Sequence, residues 1–303
     1  MNLLDLINQF GTHDKCVEML ENIRYADGVY CPYCGSYSTT THADPTRDTK
    51  RWQCKDCHKS FTVLTKTMFH HSRLELPKWF LAIFLIANAK KSISSRQLSR
   101  DIGVTVKTGY RISVQIRKAL LDPDQSLLRG IVEMDEAYIG GKPRGHKKDR
   151  NNKNKPGRGS KKLPVIGAVE RGGNVVACLA KDKKTDKNTL LQFVNNTIDK
   201  IKTILITDEY KGYLGFSEHV AKHEVINHSK QYVDKDDTHT NTIEGFWSLV
   251  KRAWYGTHHH YSVKFMDLYL SETAFKYNRR REGQNKVSRD IFKGLLVDYA
   301  QVY

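Results

Sequence analysis

Four cysteines near the start of the chain come in two pairs, Cys31 with Cys34 in "CPYCGS" and Cys54 with Cys57 in "CKDC". The spacing is C-x2-C-x19-C-x2-C. Each pair offers two thiolates from one tight knuckle, and two knuckles complete a tetrahedral site. The pattern therefore predicts a structural zinc held by Cys31, Cys34, Cys54 and Cys57. Four protein ligands leave no open position, so this metal is not expected to be catalytic. The segment is too small for a core of its own, and metal binding would supply its folding energy. Two disulfides or a redox pair are the other readings. Neither suits a chain whose start, "MNLLDLINQF", lacks the basic region and cleavage site of a secretion signal, and a cytosolic location is expected. Cys16 and Cys178 lie in apolar contexts and read as packed thiols. His58, His70 and His71 are close in sequence, but the four-thiolate set is complete without them.

Charge points to a polyanion. Fifty Lys and Arg stand against 33 Asp and Glu, a net charge of +17. Phosphate contacts made by such a surface release counterions, so DNA is the expected partner. The charge clusters in "KPRGHKKDRNNKNKPGRGSKK" at 142–162, with ten Lys/Arg and one acid. That mixture cannot bury a core and reads as a basic loop. The longest apolar run, "WFLAIFLIANA" at 79–89, is shorter than the roughly 18 residues a membrane helix needs, so no membrane association is expected.

At 303 residues the chain is long enough for roughly two domains. Residues 1–72 read as a helical lead-in and the cysteine-bearing ribbon, and 73–121 as helices. "DPDQSLLRG" at 122–130 reads as a linker, and 131–303 as a mixed α/β sheet with helices packed on it. In that last part "GIVEMDEAYIGG" is a strand, and "KLPVIGAVERGGNVVACLAKD" is a hairpin turning at "RGGN". "KNTLLQFVNNTIDKI" is helical, "TILITDEYKGY" and "HEVINHS" are strands, and "NTIEGFWSLVKRAWYG" and "VKFMDLYLSETAFKYNRRR" are helices.

"ISSRQLSRDIGVTVKTGYRISVQIRKAL" at 93–120 has Ser94 or Ser95 as a helix cap, a turn at Gly103 and a second helix from near Thr105. This is helix-turn-helix spacing. Lys107, Thr108, Tyr110 and Arg111 fall in the first turns of the second helix, where a recognition helix meets bases or phosphates. Arg96 and its basic neighbours strengthen the DNA reading. An ordinary helical hairpin is the simpler alternative.

Three carboxylates stand out against the basic background. Asp135 lies at the end of the first strand of the α/β part, Asp208 at the end of "ILITD", and Glu244 near the start of a helix, with 35 residues between the last two. Phosphodiester chemistry with two Mg2+ ions asks for this kind of set, hard oxygen ligands on neighbouring elements. At about 100° per residue Phe246, Leu249, Val250 and Ala253 share one helix face. Glu244, Ser248 and Lys251 share the other, an acid for metal beside a lysine for phosphate. Each acid also has a plainer role. Asn241 with Glu244 fits a capping box, and Asp208 could open a turn. Glu133, Glu136 and Glu209 are rivals within two residues.

Together, Asp135, Asp208, Glu244 and Lys251, with the phrases "CPYCGS…RWQCKDCHKSFTVLTKTMFH", "VEMDEAYIGGK", "ITDEYKGY" and "HTNTIEGFWSLVKRAWYGTHHHYS", resemble the zinc-ribbon DDE transposases of bacterial insertion sequences. The resemblance runs over nearly the whole chain. It implies an RNase H-like catalytic domain preceded by a zinc ribbon and a helix-turn-helix that bind terminal inverted repeats. It also implies cleavage and strand transfer with Mg2+ or Mn2+. By that likeness Asp135, Asp208 and Glu244 hold the cations and Lys251 contacts the DNA backbone. Asn241 and His239 fall in the matching "HTNTIE" stretch and are further candidates, Asn241 as an alternative third member of the triad. A homodimer or larger assembly on DNA and a place at the nucleoid also follow from the likeness. A transcriptional regulator with a non-catalytic α/β domain and a structure-specific nuclease of the same fold are the other functions such a chain could serve.

Overall fold

The computed structural model describes residues 2–42, 50–121, 126–140, 162–226, 239–282 and 291–292. The basic loop expected at 142–162 lies, except for Lys162, outside them. The chain divides into two compact units, one of Met1–Leu120 with Glu282–Tyr303 and one of Leu121–Arg281.

In the first unit, helices α1 (Leu3–Phe10) and α2 (His13–Arg24) precede a small antiparallel sheet. Its strands are β1 (Thr39–His42), β2 (Arg51–Cys54) and β3 (Ser60–Phe61), in that order. Trp52 on β2 stacks on Phe61 at 6.0 Å and meets Tyr25 edge-on at 5.3 Å. Buried Arg24 ties α2 to the segment after β3 by donating to the carbonyls of Val63 and Thr65. α3 (Leu76–Asn88) buries Leu76, Trp79, Phe80, Ala82, Ile83, Phe84 and Ile86, as its almost uniformly apolar sequence predicts. α4 (Ser95–Asp101) and α5 (Val106–Ala119) follow. Each is capped by the side chain before it, Ser94 accepting from the Gln97 amide and Thr105 from the Thr108 amide.

The second unit is built on a five-stranded mixed sheet. Its strands are β4 (Leu128–Ile139), β5 (Leu163–Glu170), β6 (Val175–Leu179), β7 (Ile198–Asp208) and β8 (Lys222–Ile226), in the order β6-β5-β4-β7-β8. β4, β5 and β6 form an antiparallel meander, while β7 runs parallel to β4 and β8 parallel to β7. This is the RNase H-like mixed sheet that the resemblance implies, with helices α6 (Lys187–Thr197), α7 (Asn241–Arg252) and α8 (Met266–Asn278). "RGGN" makes the β5–β6 hairpin, closed by the Glu170 amide on the Asn174 carbonyl.

Two boundaries differ from the sequence expectation. The helix read as reaching Ile201 stops at Thr197, and Ile198 already pairs with Leu128. The segment from Thr197 to Thr207 is rich in β-branched Thr and Ile, which favours strand once a pairing edge is present. Asp135 is interior to β4, not at its end. β4 runs on to Ile139 because β5 pairs with it along its whole later half, with Asp135 opposite Gly167.

The pleat sorts side chains by parity. Val132 and Met134 enter the core with Leu190, Phe193, Val194, Leu205 and Tyr213. Ala137 and Ile139 enter the opposite core with Ile243, Phe246, Trp247 and Val250 of α7 and Met266, Leu270 and Ala274 of α8. Glu133 and Asp135 share the second parity and so stand on the α7 side of the sheet.

Candidate active site

The four cysteines meet as predicted. Their sulfur atoms all lie within 4.8 Å of one another, with Cys31–Cys57 and Cys34–Cys54 at 3.6 Å. A tetrahedron of sulfurs at about 2.3 Å from zinc has edges of roughly 3.8 Å, whereas a disulfide needs about 2 Å. All six cysteines are free thiols. The knuckles share a backbone device: the residue after each pair, Gly35 or His58, takes a positive φ of 78° or 56°. Gly35 does this without strain, and its amide bonds back to the Cys31 carbonyl at 2.9 Å. Amides of Cys57 and Asp56 hold the Cys54 thiol down to about 7. At Cys34 the Ser36 amide also pulls down, but burial and the three neighbouring thiols carry the value up to about 12. The site fits a structural Zn2+, and Cys16, buried beneath the Phe10 carbonyl, takes no part in it.

On the second unit, three elements bring the proposed acids to one side of the sheet. The β4–β7 ladder pairs Glu133 with Ile206, and Asp135 and Asp208 each lie two residues further along these parallel strands. Asp208 ends β7, and its Oδ1 accepts from the Tyr210 amide at 3.0 Å, so it also shapes the turn that follows. The Asp135 carboxyl is raised from 3.8 to about 6, chiefly by burial, with the charges of Asp208 and Glu244 adding to the rise. The Glu136 amide and the Trp247 indole oppose it. Asp135 thus sits within the electrostatic reach of both other acids. The three acids are not drawn as tightly as the thiols, which among the described residues are the only group of three or more His, Cys, Asp and Glu side chains with ligand atoms all within 4.8 Å of one another. A pair of divalent ions about 3.5–4 Å apart spreads its ligands wider than a single tetrahedral ion does. An all-carboxylate donor set suits Mg2+ or Mn2+, so the residues present fit such cations.

α7 carries Glu244 close to the sheet because Gly167, opposite Asp135, has no side chain. A Cβ there would sit 2.7 Å from the Trp247 ring and 3.4 Å from Ile243. Glu244 is exposed and accepts from Thr240 Oγ1 at 3.4 Å. The capping box read for Asn241 and Glu244 is not formed: the helix starts after Thr240, whose side chain does not cap it. Asn241 and Lys251 are exposed. The apolar face is turned from the one read in the sequence: Ile243 and Trp247 are buried with Phe246, Val250 and Ala253, whereas Leu249 is half-buried.

The rival acids separate cleanly. Glu209 is exposed. Glu136 has the parity of the other core and is buried near Tyr213, whose phenol is pushed well above its usual range by burial and by the charges of Glu136, Asp135 and Asp208. Glu133 is fully buried beneath the start of α7, where Thr242 and Ile243 donate to it. His239 stands beside it, Nδ1 3.2 Å from Oε1. In the helix-turn-helix region Arg96, Lys107, Tyr110 and Arg111 are exposed and Thr108 is half-buried. The basic end of α8 is spent locally, Arg280 and Arg281 donating to the Gly173 and Gly172 carbonyls of the β5–β6 hairpin.

Comparison with known proteins gives the class first. A model described as the ISXO2-like transposase domain matches residues 127–278, and one described as the transposase zinc-ribbon domain matches residues 11–60. The chain is also 31% identical over 299 residues to an uncharacterized protein in transposable element ISH50 of Halobacterium salinarum, covering 96% of this chain and 98% of that one. It belongs to the ISXO2-like transposases. Among solved structures, the Mos1 strand transfer complex aligns at 14% identity over 74% of this chain and 76% of that one, and the pre-cleavage Mos1 transpososome at 12% over 74% and 77%. Both have a TM-score of 0.29, too low to establish a shared fold. No described helix is long and apolar enough to cross a membrane.

Proposed function

We propose that the chain hydrolyses a phosphodiester at the end of its element and joins the freed 3′-OH to target DNA, with Asp135, Asp208 and Glu244 as the ligands of divalent cations. One observation carries the reading: buried Asp135 meets the charges of two further acids, each from a different element, on one side of the sheet. Cations bound there would stabilise the attacking and leaving oxygens of an in-line displacement.

The chain's own part is positioning, which together with fixed charge accounts for most of the rate in such reactions. Asp135 is held on the central strand, between β5 and β7. Asp208 is fixed by its turn and Glu244 by a helix packed on the sheet. Lys251, exposed seven residues after Glu244, would hold the DNA backbone. Arg96, Lys107, Thr108, Tyr110 and Arg111 would engage the terminal inverted repeats from α4 and α5, on a unit stabilised by zinc. Two element ends joined in one reaction call for at least a dimer on DNA.

The test is Asp208→Asn. Cleavage of inverted-repeat DNA should fall at least ~100-fold, the scale of losing one electrostatic group from an active site, while binding to that DNA stays within twofold. Strand transfer at the wild-type rate would overturn the assignment.

A further inference from the structure

Glu133 is a carboxylate with no remaining contact to solvent, two residues from the central acid, and the reaction proposed above does not use it. It accepts four hydrogen bonds and has the His239 ring beside it. Oε2 accepts from the amides of Thr242 at 2.8 Å and Ile243 at 3.0 Å. Oε1 accepts from Thr242 Oγ1 at 2.8 Å and from Arg171 Nε at 2.7 Å, with His239 Nδ1 at 3.2 Å. Arg171 closes the group by donating from its other arm to the His239 carbonyl at 2.9 Å. The first amides of a helix have no partners within it, and a short side chain just before the helix usually supplies them. At α7 a carboxylate from a strand 109 residues earlier supplies them, and its charge also suits the positive end of the helix.

We infer that Glu133 is a positioning residue that sets the place of Glu244 relative to Asp135. Glu244 follows Ile243 directly, so one peptide unit separates it from an amide fixed to Glu133. Asp135 stands on the same face of the same strand, roughly 6.5 Å along it. Glu133 therefore fastens the helix-borne acid to the strand that holds the central one. Arg171, from the β5–β6 turn, steadies both Glu133 and the backbone that enters the helix. The inference rests on the reading of Asp135, Asp208 and Glu244 as cation ligands.

The test uses the full-length, zinc-loaded chain. Mn2+ affinity is measured by titration followed by electron paramagnetic resonance, and amide exchange of α7 is measured without Mn2+. Glu133→Gln keeps shape and removes charge. It should weaken Mn2+ binding roughly tenfold to a hundredfold, the range for losing a group that orients a ligand. It should also speed exchange at Thr242 and Ile243, with affinity for duplex DNA within twofold of wild type. If Glu133→Gln fails to fold, Arg171→Lys, which cannot hold Glu133 and the His239 carbonyl in one planar fork, should weaken Mn2+ binding in the same direction. Wild-type Mn2+ affinity in either folded variant overturns the positioning role, even if exchange speeds up, because Glu133 would then only cap the helix. Asp208→Asn separates the two readings. If it leaves Mn2+ affinity unchanged, the cation site itself is wrong. If it weakens binding and the Glu133 and Arg171 variants do not, only the positioning role fails.

Discussion

Asp135 titrates near 6 instead of 3.8, first because it is buried and then because Asp208 and Glu244 are charged beside it. The consequence for stability has a definite sign. With the folded value above the unfolded one, the unfolded chain gives up this proton first as pH rises. The contribution is fully present below about 3.8, is lost between 3.8 and 6, and stays lost at higher pH. A rise of this size corresponds to about 3 kcal/mol. In the presence of a chelator that leaves the ribbon zinc in place, Asp135→Asn should therefore raise the melting temperature at pH 7.5, by an amount that shrinks towards pH 4. Added Mn2+ should stabilise the wild type and not the variant. A melting difference that does not change with pH would remove the buried-acid account. Asp135 and Asp208 stand out as candidates in the sequence because a carboxylate beside an apolar strand is conspicuous in a basic chain. The place of Glu133 under the helix does not, because what distinguishes it from Asp135 is a pair of amides 109 and 110 residues away.

At the scale of elements, the site depends on how near α7 lies to the sheet, and Gly167 sets that distance. Gly167→Ala places a methyl 2.7 Å from Trp247, so the helix must shift. Overpacking of this kind typically costs about 1–3 kcal/mol, and cleavage should fall with it. Trp247→Phe, which removes the clashing ring edge, should recover part of the loss in Gly167→Ala; a double variant no better than the single one would show that the contact is not what sets the spacing. The hairpin, the cysteine knuckles and α3 were legible because turn residues, ligand spacing and continuous apolarity each report locally. The burial of Ile243 and Trp247 was not, because helical periodicity drew the face around Leu249, while the helix turns to seat an indole in the gap left by a strand glycine. A glycine inside a strand is itself a sign of close approach, and that was the available signal.

For the whole molecule, the net charge of +17 makes salt the sharpest probe of the proposed DNA contacts. Each phosphate neutralised adds about 0.9 to the slope of log affinity against log salt. Lys107→Ala and Arg111→Ala should each reduce that slope by about 1 if the exposed face of α5 lies on DNA, and leave it unchanged if α4 and α5 are only a helical hairpin. Stripping the thiolate site should unfold the ribbon, since its small sheet has little else to stabilise it. Trp52, buried on β2, should then meet water and shift its emission to the red. The shift should be missing in Trp52→Phe and absent altogether if the ribbon folds without metal.

The link between Glu133 and α7 also has a meaning for synthesis. A ribosome adding 5–20 residues per second takes on the order of 5–20 s to cover the 109 residues between Glu133 and its amides. During that interval Arg171, 38 residues after Glu133, is the partner available to its carboxylate, and the helix amides are still to come. A message truncated before Thr242 yields a product in which Glu133 keeps Arg171 but lacks the two helix amides that take up its other oxygen. Such fragments should be cleared by proteases rather than persist as folded competitors of the complete chain.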